Sequence, residues 1–371
     1  MQTLLRATNR GYKASYPLNI IAHPHSVDIP ASKTPSIMPS NQSAFIDGKD
    51  LPLRVAASSI PEPGPNDIIV KNHAVAVNTI DPAQASGFNI KKFPTVLGMD
   101  LAGEVHEVGS SVTKFKKGDR IIGHAWQFAT GAWEDGAFSL YPRIPAANAA
   151  ILPDEIDFTD GVVLPLAIDT AAGGLYQPGY MGLDFPHVDT RPNSKGEVVV
   201  VYGGSTSVGA AAIQLAVAAG YRVIATCSPD NFDLCRECGA NDVFDYKSLA
   251  VADDIAAAVG SDKFKGLYNA IGIPESFKVV TPIVEKLGGG FIANTKPPPQ
   301  DLPARVTVKF VLGVNEFGFP VWKDFVTEGL QSGKLKCLPQ PTIVGKGLES
   351  LQKAFEVRNG DVRATKVVVE L

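Results

Sequence analysis

Hydrophobic and polar positions change rhythm twice along the chain. Residues 50–150 read as short strands separated by glycine and proline. Asp67-Ile-Ile-Val-Lys-Asn-His-Ala-Val-Ala-Val77 follows the turn Pro61–Pro65 and predicts a strand. Leu101–Val108 alternates and stops at Gly109, and Gly118-Asp-Arg120 turns into a strand reaching Gly123. Such a series predicts a barrel-like β domain. From Phe158 to Tyr176 a long apolar stretch predicts a helix, and residues 177–196, rich in Pro, Gly and Asp, predict an exposed loop. Next comes Val198-Val-Val-Val-Tyr202, a continuous apolar run suited to a strand buried on both faces. A helix is expected over Ala210–Ala219, a strand over Arg222–Thr226 and a helix over Asn231–Cys238. Further strands are expected at Asp242–Asp245, Gly266–Ile271 and Gly290–Asn294. Strands alternating with helices predict an α/β fold with a doubly wound parallel sheet. Beyond about residue 320 the pattern is mixed, and no internal repeat is visible.

Composition narrows the class without naming a function. The 371 residues suit two ordinary domains, and 45% apolar against 19% charged residues is a globular balance. A net charge of -4 gives no pull toward nucleic acid or an anionic membrane. No apolar run reaches the roughly 18–20 residues that span a bilayer. Cys227, Cys235, Cys238 and Cys337 do not form a disulfide framework, which points to a reducing compartment. Cys235 and Cys238 are expected to be packed thiols one helical turn apart, since a metal knuckle needs a second pair. Residues 1–37 stand apart: up to Ala31 they carry Arg6, Arg10, Lys13, His23 and His25 but a single acid, Asp28. They are expected to be a disordered tail or an extension preceding Met38, with a mitochondrial presequence as the alternative. The corresponding locations are cytoplasmic and mitochondrial.

The chemistry is concentrated in Tyr202-Gly-Gly-Ser-Thr-Ser-Val-Gly209, between a buried strand and a helix. Main-chain N–H groups and the helix N-terminus make an anion site there. Gly203 and Gly204 allow the tight turn, and Gly209 allows close helix–sheet packing. Thr206 and Ser207 stand where glycine is usual, and their hydroxyls are expected to reach phosphate. Dinucleotide folds usually place an acid about 20 residues further on, to hold the ribose 2′-OH. Ser228 occupies that place, 19 residues after Gly209, within Ser228-Pro-Asp-Asn231. An acid repels a 2′-phosphate, whereas Ser228 and Asn231 can donate to it, and Tyr246 and Lys247 are further donors. NADPH is therefore expected over NADH, with Asp230 turned to solvent or capping the next helix.

Gly98-Met-Asp-Leu-Ala-Gly-Glu-Val-His-Glu-Val-Gly109, Gly118-Asp-Arg120 and Asp135-Gly-Ala-Phe138 resemble the N-terminal signatures of medium-chain dehydrogenase/reductases. Val201–Gly209, Ile224–Leu234 and Val243–Tyr246 are similar to the trans-acting enoyl reductases of fungal polyketide synthesis, the lovastatin enoyl reductase type, with quinone oxidoreductase-like proteins also near. The resemblance covers roughly residues 38–371. It implies a GroES-like domain made by both chain ends with a Rossmann domain inserted. In residue terms that is an extension 1–37, a catalytic domain 38–163, a nucleotide domain 164–320 and a return 321–371. The resemblance also carries over residue roles. Asn78, Asp81 and Thr170 match the nicotinamide end. Gly204, Ser205, Thr206, Ser207 and Val208 match the pyrophosphate loop. Ser228, Pro229, Asp230, Asn231 and Tyr246 match the adenosine-phosphate end, and Thr365 and Lys366 match a segment returning to the cofactor.

Zinc-dependent members carry a Cys near the Asn-x-x-Asp stretch, a Gly-His-Glu segment and a four-cysteine lobe. Here Asn78 and Gly98-Met-Asp100 stand in those places, and no cysteine precedes Cys227. No metal site is expected, and His106 and His124 are expected to be structural. The zinc-free relatives reduce a C=C bond conjugated to a carbonyl. Relatives carry Lys or Tyr within two residues after the Asp, but this chain reads Asp81-Pro-Ala-Gln84, so Ala83 leaves no evident proton donor. Three readings follow: a reductase of activated alkenes, a quinone or carbonyl reductase, and an NADPH-binding protein with little catalysis. Loop 126–134, with Trp126, Phe128 and Trp133, and Phe310–Phe319 with Trp322 are expected near the acceptor. The acceptor is a small molecule, free or on a carrier protein. Lys91-Lys92 and Lys114-Lys116-Lys117 are the basic candidates for a carrier, with solvated surface as the plainer reading. Arg305–Leu312 reads as an edge strand that pairs across a dimer or is blocked by Lys309, so monomer and homodimer both stay open.

Overall fold

A computed structural model of the protein describes residues 40–371 except position 361; the segment 1–37 lies outside the described residues. The β-rich part contains β1 (Asn41–Ile46), β2 (Leu53–Ser58), β3 (Asp67–Val77), β4 (Thr95–Val96), β5 (Asp100–Val108), β6 (Arg120–His124), β7 (Arg143–Pro145) and β8 (Ala149–Ile151). The α/β part contains β9 (Glu197–Tyr202), β10 (Arg222–Cys227), β11 (Asp242–Asp245), β12 (Lys263–Asn269), β13 (Gly290–Asn294) and β14 (Val306–Phe310). The chain then returns through β15 (Pro341–Lys346) and β16 (Lys366–Glu370).

Strands β9–β14 form a parallel six-stranded sheet in the order β11-β10-β9-β12-β13-β14. Strand order reverses between β9 and β12, and ligands of such sheets sit in the crevice outside the carboxyl ends at that point. A seven-stranded sheet takes β15 and β16 from the C-terminal end and sets β16 against β3, followed by β5, β6 and β8, with β7 also on β3. A barrel-like half is therefore built from both chain ends, with the Rossmann half inserted between them in sequence. β1, β2 and β4 make a further three-stranded sheet that the hydrophobic pattern does not predict.

The helix Ser207–Ala218 begins three residues before the expected Ala210, because Thr206 caps it. Its alanines pack with the helix Pro165–Tyr176 and strands β9 and β10 in one buried cluster. The apolar stretch from Phe158 to Tyr176 is two helices, Phe158–Gly161 and Pro165–Tyr176. Pro165 lacks an N–H and fits only the first turn of the second. Residues 177–196 hold no helix or strand, yet Met181 and Leu183 are buried, so the expected exposed loop is partly anchored. The edge strand β14 lies where the alternation places it, and Lys309 donates to Gly179 O at 2.7 Å.

Candidate active site

The loop after β9 is held by the end of β10: the N–H groups of Gly203 and Gly204 both donate to Thr226 O, at 3.0 and 2.9 Å. A Cβ on Gly209 would strike Gly203 O and crowd Gly204, so only glycine lets the helix start this close to the loop. Thr206 differs from expectation. Its hydroxyl donates to Gly203 O at 2.9 Å and accepts from Gly209 N at 3.0 Å. In this arrangement the side chain is the helix N-cap. By helix geometry the N–H groups of Ser207 and Val208 are left for an anion. Ser205, Ser207 and Val208 are half-buried along the loop, and Thr226 Oγ1 is buried with no partner at its edge.

At the end of β10, Ser228 is half-buried, Pro229 and Asp230 are exposed, and Asn231 is half-buried. Neither Ser228 nor Asn231 makes a side-chain cap hydrogen bond. Asp230 faces solvent, one of its two expected placements. Tyr246 meets Tyr202 edge-on, with ring centroids 6.0 Å apart, and Lys247 Nζ lies 5.7 Å from the Tyr246 ring. β10 and β11 end side by side, with Cys227 paired to Asp245, so Ser228 and Tyr246 leave adjacent strand ends.

Asn78, Asp81, Asp100 and Lys366 are tied into one buried polar network. Asn78 Nδ2 donates to Asp100 Oδ2 at 2.8 Å, and the Asn78 N–H donates to Asp81 Oδ2 at 2.7 Å. Lys366 donates to Asn78 Oδ1, and its Nζ lies 2.7 Å from Asp100 Oδ2. Asp100 Oδ1 accepts the Leu166 N–H at 2.7 Å, clasping the first turn of the helix Pro165–Tyr176 to the sheet. Lys366 is 3% exposed and Asp100 0%. A lone lysine opening the apolar run Lys366-Val-Val-Val369 signals a paired buried charge. Burial pushes the Asp81 carboxyl up to about 7, and Asp100 adds to the rise, while the Asn78 N–H, Lys366 and Arg358 oppose it. Thr365 lies beside this network but is spent elsewhere, with Thr342 Oγ1 and Gln340 O both 2.7 Å from its hydroxyl.

Thr170 sits on the helix Pro165–Tyr176, its hydroxyl donating to Leu166 O at 2.7 Å and its carbonyl accepting from Tyr268 OH at 2.6 Å. That places it against β12, at the switch point of the sheet. The preceding residue, Asp169, went unremarked in the sequence. It is fully buried and bonded to His124, Asn148 and Trp322. An acid within Leu164-Pro-Leu-Ala-Ile-Asp169 was the signal available for it. Among the aromatics, Trp126 stacks on Phe319 at 5.8 Å, Trp322 is fully buried and Trp133 packs on Phe45. Gln84 Nε2 donates to Gln127 Oε1 at 3.1 Å, so the residue after Ala83 is engaged in the catalytic half. Lys114 is exposed, as are Lys116 and Lys117, yet its Nζ donates to Ala149 O and Trp322 O at 3.0 and 2.9 Å. His124 is paired with Asp169, and His106 lies edge-on to Tyr141 at 5.0 Å. All four cysteines are free, three of them buried.

A glycine-cradled loop at the switch point of a Rossmann sheet, joined to a barrel-like sheet made from both chain ends, is the architecture of medium-chain oxidoreductases. Residues 64–154 match the family model of the alcohol dehydrogenase GroES-like domain, and residues 207–308 match that of zinc-binding dehydrogenases. The chain is 44% identical to the dehydrogenase orsE of Emericella nidulans, over 90% of this chain and 100% of that protein. It is 36% identical to the trans-enoyl reductase himH of Aspergillus japonicus, covering 82% of this chain and 90% of the relative. A quinone oxidoreductase of Pseudomonas syringae superposes with a TM-score of 0.67 at 24% identity, covering 89% of this chain and all of that one. The protein belongs to the medium-chain dehydrogenase/reductase superfamily.

Proposed function

We propose that this protein is an NADPH-dependent, zinc-independent reductase of C=C bonds conjugated to a carbonyl. One observation carries the reading. The Gly203–Gly209 loop opens a helix after a buried strand, and the end of the next strand carries Ser228 where an acid is usual, with Asn231, Tyr246 and Lys247 as further donors and Asp230 exposed. NADPH, when bound, supplies the hydride. The loop N–H groups would take its pyrophosphate, Ser228 and Asn231 its 2′-phosphate, and Thr170, Asn78 and Lys366 would border its nicotinamide end. Residues 38–163 with 321–371 would act as the catalytic half and 164–320 as the nucleotide half.

Zinc does not suit the residues present. A catalytic zinc site needs thiolate, imidazole or carboxylate ligands. The corresponding place holds the Asn78 amide and an Asp100 carboxylate already paired with the Lys366 ammonium, a cation that opposes a second one. Among the described residues no group of three or more His, Cys, Asp or Glu is arranged for a metal.

Two residues past Asp81, Ala83 carries no transferable proton, which suits an acceptor protonated from water. The same feature favours a second reading, reduction of quinones, whose oxygens take protons from solvent. The acceptor is a small molecule, free or carried on a partner protein. Among the described residues no helix is long and apolar enough to cross a membrane.

The test follows NADPH and NADH oxidation by absorbance against enones, unsaturated thioesters and quinones. Turnover of enones or thioesters with NADPH preferred supports the reading. Turnover of quinones alone selects the second. Equal use of NADH, or tight NADPH binding with no acceptor reduced, refutes the proposal.

A further inference from the structure

Asp169 lies one residue before Thr170 and is 0% exposed. Three N–H donors converge on its carboxylate: His124 Nδ1 at 2.5 Å and Asn148 Nδ2 at 3.0 Å on Oδ2, and Trp322 Nε1 at 2.8 Å on Oδ1. Its main-chain carbonyl accepts a fourth bond, from Asn315 Nδ2 at 2.9 Å. The donors come from the end of β6, the turn before β8 and two points along the chain that follows β14. A Cβ on Gly318 would strike Asp169 Oδ1, and one on Gly313 would lie 2.6 Å from Thr170 Oγ1. The segment from Val311 to Trp322 is therefore pressed onto the helix Pro165–Tyr176 at four places, all around Asp169 and Thr170.

That segment leaves the carboxyl end of β14, on the same side of the switch point as β12 and Thr170. Leu312, 50% exposed, stands free on it, Phe317 is half-buried, and Phe319 stacks on Trp126 from the catalytic half. An exposed leucine flanked by aromatics at this end is the wall an apolar acceptor would meet. We infer that Asp169, oriented by His124, is a positioning residue that fixes the Val311–Trp322 segment as the acceptor-side wall, selecting bulky apolar acceptors. The inference rests on the reductase reading for what the wall contacts, and on the hydrogen bonds alone for how it is held.

The direct test is Asp169→Asn in the full chain. An amide brings N–H toward donors that need an acceptor, at unchanged volume. NADPH affinity, measured by nicotinamide fluorescence, is expected to stay within twofold of wild type. The kcat/KM for bulky acceptors is expected to fall tenfold or more while that for small ones changes less. Hydrogen exchange is expected to quicken in residues 311–322 and not in the Gly203–Gly209 loop. His124→Asn keeps an N–H near the Nδ1 position and is expected to retain acceptor preference; His124→Phe is expected to lose it. Should Asp169→Asn not fold, Trp322→Phe removes a single donor, with the same direction expected at smaller size.

Unchanged acceptor preference together with unchanged exchange in 311–322 overturns the inference. So does loss of NADPH affinity in proportion to acceptor turnover, which marks a general structural role. If the wild-type chain reduces no acceptor, the reductase reading fails by itself, and the exchange measurement still decides whether Asp169 holds the segment.

Discussion

Replacing Lys366 by Met tests the buried network at the nicotinamide end. Both charges of the Lys366–Asp100 pair lie out of water, at 3% and 0% exposure. Removing one partner of such a pair leaves the other uncompensated and costs about 3–5 kcal/mol. Asp100 would keep two donors, Asn78 Nδ2 and the Leu166 N–H, so the lower end, about 3 kcal/mol, is expected. At ~2.1 cal/mol/K of unfolding entropy per residue, a loss of this size lowers Tm by about 4 °C in a domain pair this long. Asp100→Asn strands the ammonium instead and should cost a similar amount. The double variant K366M/D100N carries no charge there and should be more stable than the sum of the single losses implies, by about 2 kcal/mol. Urea denaturation followed by circular dichroism gives the four stabilities of the cycle. A Lys366→Met variant within about 0.5 kcal/mol of wild type, or losses that simply add, would refute the reasoning, since either result means the two charges are not coupled.

Asp81 makes a pH prediction. Its folded pKa of about 7 stands above the usual 3.8, so its contribution is fully present below 3.8 and is lost as pH rises toward 7. At ~1.36 kcal/mol per pH unit the loss amounts to about 4 kcal/mol, and Asp81→Asn should flatten that slope in denaturation series between pH 4.5 and 8. Gly209→Ala drives a Cβ into Gly203 O and should weaken NADPH binding at least tenfold, read by fluorescence titration; unchanged affinity would show that the loop tolerates opening. Ser228→Asp places a carboxylate against the 2′-phosphate and should move the NADPH:NADH ratio of kcat/KM toward NADH by tenfold or more. Prolonged dialysis against a chelator should leave turnover unchanged, whereas loss restored by zinc would overturn zinc independence.

Local rules in the sequence determined the nucleotide half. A short valine run bounded by glycine reads as a strand buried on both faces, Gly203, Gly204 and Gly209 mark a tight turn before a helix, and βα alternation permits few topologies. The position of Ser228 was readable for the same reason, because it follows from counting along two adjacent units. The β1–β2–β4 sheet was not read from the sequence: β4 has two residues and carries no period, and β1 begins just after the segment whose composition looks like an extension. Nor was the break at Pro165 inside an apolar stretch that looks continuous.

The charged network was decided by tertiary structure alone. Lys366 meets Asn78 across 288 positions, and Asp169 gathers donors from His124, Asn148 and Trp322 across separations of 45, 21 and 153. No periodicity encodes such partners. The sequence shows only that a buried Asp or Lys must have one, because an unpaired charge in a core is too costly to keep. Thr206 makes the same point at short range. Composition allowed its hydroxyl to reach either a phosphate or the helix end, and the turn at Gly203 gave it to the helix.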